Sequence, residues 1–115
     1  MKRTILFTLA VILILPTSSF AHKPKNMDIS FNGRTQQLNV TVSHSTTNPN
    51  IHYIYQLDIM VNDELVKTQS ITGKENTSTG LSYTDLLRGV QSGDQISVTA
   101  SCSRGGTFKG GIVVQ

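Results

Sequence analysis

Apolar and polar side chains alternate along this chain in short runs, and no run carries three turns of helical periodicity. Leu38, Val40 and Val42 fall on one face of an extended segment while Asn39, Thr41 and Ser43 fall on the other, the period-two pattern of a half-buried strand. Further β-branched and aromatic runs cover Met27–Phe31, His52–Val61, Leu65–Ile71, Gln95–Cys102 and Thr107–Val114, with a weaker one at Leu81–Tyr83. Turn chemistry separates them at Asn32-Gly33, Asn48-Pro49-Asn50, Asn62-Asp63, Ser92-Gly93-Asp94 and Gly105-Gly106. About seven short strands with turn signals between them predict an all-β sandwich.

The longest run is less regular. Tyr53, Tyr55, Leu57, Ile59 and Val61 form an apolar series, which makes both tyrosines core or interface aromatics; His52, Ile54, Gln56, Asp58 and Met60 form a mixed one, as in a strand wet at one end. Thr72–Gly80 is rich in Gly, Asn, Ser and Thr without periodicity and reads as a mobile connection between sheets. Asp85–Arg88 has the length of a single helical turn, and Gly110-Gly111 reads as a bulge.

The first residues do not belong to this pattern. Lys2 and Arg3 precede an apolar run from Ile5 to Leu15, too short to span a bilayer, and small residues stand at Ser19 and Ala21, three positions and one position before His22. Residues 1–21 therefore read as a cleaved signal peptide, and the product as a periplasmic or secreted domain, residues 22–115, with no membrane segment after cleavage. The plainer alternative is an uncleaved amino-terminal anchor. Taking 21 residues from 115 leaves 94, one small domain with a limited core. The leader also takes two of ten basic residues, so eight Lys and Arg face seven Asp and Glu. No basic run with interleaved aromatics exists, and nucleic acid has no support as a partner.

Candidate chemistry concentrates in four residues. The histidines are His22, His44 and His52, and Cys102 is the sole cysteine, so the chain cannot staple itself with a disulfide. His44 ends one predicted strand, His52 opens the next and Cys102 ends another. Strand ends of a sandwich gather at a rim, where two imidazoles and a thiolate would hold iron, copper or zinc. If cleavage falls before His22, its α-amine, with an ordinary pKa near ~8, joins its imidazole as a chelating pair suited to copper.

These residues also resemble a known family. The run His44-Ser-Thr-Thr-Asn-Pro-Asn-Ile-His52-Tyr53-Ile54, the later Gly93-Asp94, and Cys102-Ser103-Arg104-Gly105-Gly106 are similar to the iron-binding domain of superoxide reductases and desulfoferrodoxins, and His22-Lys23-Pro24 resembles its early His-x-Pro segment. The resemblance covers His22 to Gly106. It implies an immunoglobulin-like β-sandwich and a ferrous (Fe2+) centre of four imidazoles and an axial thiolate that reduces superoxide to peroxide. Carried over, His44 and His52 are equatorial ligands, Cys102 is the axial thiolate and His22 is a third imidazole. Gly105 stands where the family carries its late histidine, so the implied set is incomplete. The implied partners are the metal ion, a small oxygen species and an electron-donor protein.

Plainer readings stand beside each residue. Cys102 is also a small thiol that could pack between sheets, His52 a strand-edge residue bonded to backbone, and His44 a turn residue. Asp58, Asp63, Glu64 and Asp94 have no paired spacing, and no Gly-x-Ser-x-Gly elbow exists, so acid-base and serine nucleophile catalysis lack candidates. A metal-free binding module that uses the same loops or an exposed strand is the competing function.

Overall fold

The computed structural model of the protein describes residues 26–115; the leader (1–21) and His22 lie outside the described residues. Seven strands follow in order: β1 (Asn26–Asn32), β2 (Gln37–Ser43), β3 (Ile54–Val61), β4 (Glu64–Ser70), β5 (Gly80–Leu86), β6 (Gln95–Cys102) and β7 (Thr107–Val113). They make two antiparallel sheets, β1-β2-β5 and β4-β3-β6-β7. The expected immunoglobulin-like sandwich is therefore the architecture. Its fourth strand pairs with the third, whereas the constant-type arrangement places it on the other sheet.

The core forms where the inward rows of the two sheets meet. Leu38, Val40 and Val42 on β2 face Ile54, Leu57 and Ile59 on β3 and Ile96, Val98 and Ala100 on β6, all at most 1% exposed. Two other contacts fix how the sheets sit. A Cβ on Gly110 of β7 would lie 3.1 Å from Met27 Sδ and 3.4 Å from Ile29 Cδ1, so glycine there lets β1 pack close over β7. The β6–β7 register runs unbroken through Gly110 and Gly111, so the expected bulge is absent and the glycines serve packing instead. On the opposite side Lys67 of β4 pairs with Asp85 of β5, and the Tyr83 hydroxyl donates to the same carboxylate at 2.6 Å. Burial, then the bond to Asp85, pushes the Tyr83 phenol up to about 12. Burial pushes the Asp85 carboxyl upward, but the bonds from Lys67, Tyr83 and the Leu86 N–H outweigh it and hold the group below its ordinary value.

The turn at Asn62-Asp63 is as expected: both residues have positive φ (50° and 64°), the two-residue hairpin geometry that matches strand twist. Other expectations need correction. β5 extends through Leu86 and the chain then turns at Arg88-Gly89, so Asp85–Arg88 is not a helical turn. β3 begins at Ile54, not His52, because residues 48–52 form a turn in which the N–H groups of Ile51 and His52 both donate to Asn48 O, at 3.2 and 3.0 Å. The apolar series of tyrosines also fails at Tyr55, which is 41% exposed. Ile54 pairs with Cys102 and Gln56 with Ser101, so Tyr55 is the extra residue of a bulge, and Ile54 and Leu57 both point inward around it.

Candidate metal centre

Two of the candidate ligands are the last members of inward rows. On β2 the series Leu38, Val40, Val42 continues to His44, which is 3% exposed; on β6 the series Ile96, Val98, Ala100 continues to Cys102, which is 2% exposed. Period-two geometry thus carries an imidazole from one sheet and a thiol from the other to the same end of the core. His52 is half-buried in the turn just before β3.

The structure brings these three together. One ligand atom from each of His44, His52 and Cys102 lies within 4.8 Å of the others. The imidazoles meet edge to face, with ring centroids 4.7 Å apart and planes at 88°. A single ion bonded at ~2.0–2.1 Å to nitrogen and ~2.3 Å to sulfur, at angles near 109°, keeps its donors ~3.3–3.6 Å apart, so the furthest pair each has to move by about 0.6–0.8 Å. A small χ rotation supplies that. Donor type, burial and spacing therefore fit a transition-metal ion, and burial of Cys102 is compatible with ligation because both imidazoles lie beside it.

Local structure holds the three loops in place. The His44 N–H donates to Thr79 O at 2.9 Å and the Thr46 N–H to Ser78 O at 3.0 Å, which ties the start of the histidine loop to the segment before β5. Gly80 makes that approach possible: its φ is +146°, and a Cβ there would lie 1.9 Å from Val42 O and 3.1 Å from His44 N. Gly73 does the same further along, where a Cβ would come within 2.8 Å of Pro49 O. Cys102 heads a tight turn with its N–H on Gly106 O at 3.1 Å and its C=O accepting the Gly105 N–H at 3.0 Å. Gly105 and Gly106 both take positive φ, 97° and 89°.

Two residues that the sequence did not single out complete this frame. Asn76 is 7% exposed. Its Oδ1 accepts the Ile54 N–H at 3.0 Å, and its Nδ2 donates to Ile54 O at 3.0 Å and to Thr72 O at 2.9 Å. It acts as a missing rung at the bulged start of β3. The expected mobile connection is thus anchored, with a short 3-10 turn at Gly73–Glu75 ahead of the anchor. Ser103 is the second: its N–H donates to Tyr53 O at 2.8 Å, and its Oγ accepts the Tyr53 N–H at 3.1 Å and donates to Ile51 O at 3.2 Å.

Neither a scan against protein-family models nor a search of curated proteins found a match for this chain. The functional reading therefore rests on the donors themselves. Among the described residues, no helix is long and apolar enough to cross a membrane.

Proposed function

We propose that this chain is an exported metal-binding domain whose ion, iron, is held by His44, His52 and Cys102. The convergence of these three donors within 4.8 Å carries the reading. An imidazole–thiolate set is compatible with iron, copper and zinc, and the resemblance to the superoxide reductase iron domain favours iron among them. Bound there, iron would supply one-electron exchange, with the Cys102 thiolate donating charge to it. The chain's own contribution is to fix the imidazoles, to exclude water from the Cys102 side and to leave approach open on the half-buried His52 side. Reaction with a small oxygen species is the chemistry that such an arrangement serves.

His22 is the proposed fourth donor. Asn26 at the start of β1 pairs with Ser43, the neighbour of His44, so the chain enters the sandwich at the rim of the metal centre. Cleavage before His22 would add an α-amine as a further donor.

Metal analysis of protein purified anaerobically from the periplasm of an expressing host tests the proposal. Near-stoichiometric iron and a thiolate charge-transfer band that Cys102→Ser removes are the expected results. Absence of any bound transition metal would leave the competing module, for which one observation speaks: Val66 and Leu86, 49% and 52% exposed, line a groove of about 310 Å³ with Val61, Leu87 and Val90 at the opposite end of the sandwich.

A further inference from the structure

Cys102 and His52 approach each other from two separate loops, and the side chain of Ser103 bridges those loops. Ser103, next to Cys102, engages Tyr53 through both the N–H and the C=O of that residue and reaches past His52 to Ile51 O. Both flanks of His52 are thereby bonded to the residue that follows the thiol. Without the hydroxyl, the Ser103 N–H to Tyr53 O bond alone would remain of these three.

We propose that Ser103 is the positioning residue of the metal centre: its hydroxyl sets where the His52 imidazole stands relative to the Cys102 sulfur. This deepens the metal-binding reading and rests on it. The hydroxyl touches no metal. It acts through the backbone on each side of His52, restricting the φ/ψ freedom that would let the ring swing away from the shared point. Supporting contacts of this kind, removed, cost metal affinity about 10- to 100-fold. The lower end applies here, since the Ser103 bonds are solvent-exposed and the imidazole itself is not their partner.

Cobalt(II) titration of the metal-free exported protein provides the test, followed by its thiolate charge-transfer and ligand-field absorption. Ser103→Ala is expected to raise the cobalt dissociation constant about tenfold and to shift the ligand-field bands, because the imidazole binds at an altered angle. Ser103→Thr, which keeps the hydroxyl, is expected to restore both. A purely structural stitch would instead lower the melting temperature of metal-free protein and leave the cobalt spectrum unchanged; that pattern, or wild-type affinity in Ser103→Ala, overturns the assignment. Wild-type protein that takes up no cobalt refutes the metal centre itself and this role with it, whereas cobalt binding indifferent to Ser103 refutes the role alone.

Discussion

Replacing Asn76 by alanine removes three hydrogen bonds at the joint between the fold and the histidine–cysteine cluster. Two of them serve Ile54, whose side chain is 0% exposed and whose backbone lies opposite Cys102. Truncation leaves the Ile54 N–H and C=O without that partner in a site closed to solvent, at about 1–3 kcal/mol for each buried backbone group. The third bond, to Thr72 O, is half-wet and adds under about 1 kcal/mol. The expected loss is therefore about 2–6 kcal/mol, a large share of the roughly 5–15 kcal/mol that holds an ordinary domain folded. Urea denaturation reads it directly: with a slope of about 2 kcal/mol per molar for a small protein, the midpoint should fall by about 1–3 M. Asn76→Asp sharpens the test. The carboxylate can still accept the Ile54 N–H but faces Ile54 O with no proton to donate, so at neutral pH it should be at least as damaging as alanine. Protonation at acid pH restores one donor and should recover part of the loss. A change below about 0.5 kcal/mol for Asn76→Ala would show that water takes over both Ile54 groups, and the account of the Thr72–Gly80 segment as an anchor would fail.

Two further outcomes follow from the same structure. If the donors hold a metal in the folded state only, ion at 100 times its dissociation constant adds about 2.7 kcal/mol, and a chelator should lower the melting temperature by roughly 10–20 °C for a domain of this size; an unchanged transition means that the metal contributes nothing to the fold. At high pH the contact between β4 and β5 should weaken: the Tyr83 phenol is raised to about 12, so its contribution is complete below the unfolded value near ~10 and is lost as pH rises through the folded one. Lys67, raised by its bond to Asp85, fails in the same direction. Tyr83→Phe should flatten the alkaline limb of a stability–pH curve between about pH 10 and 12, whereas an unchanged limb would place the sensitivity elsewhere.

Much of the sandwich was legible because period-two alternation survives wherever a strand is regular. The run Leu38–Ser43 announced both faces of β2, and Asn62-Asp63 announced a hairpin by its tolerance for positive φ. The reading failed where an added residue broke the period. Counting from Leu57 by twos puts Tyr55 inside and Ile54 outside; the bulge reverses both, and nothing in the local composition marks it. The histidine–cysteine cluster was legible as a constellation of rare residues at strand ends. A sharper signal was available, since His44 and Cys102 each fall two positions beyond the last apolar residue of an inward row. Asn76 and Ser103 left no mark. A buried asparagine that replaces a ladder rung has the same sequence context as one in an exposed loop, and the partners of Ser103 are 50 and 52 positions away.

That both inward rows close on a donor instead of a hydrocarbon has a cost in the apo protein. Valine at positions 44 and 102 would simply prolong the packed interior by one layer, burying methyl groups in place of an imidazole and a thiol whose polarity must be accommodated. A His44→Val/Cys102→Val double variant should accordingly outlast the unmetallated parent in denaturant while losing all affinity for ions. If the cluster does take up an ion, durability and ligation pull these two sites in opposite directions.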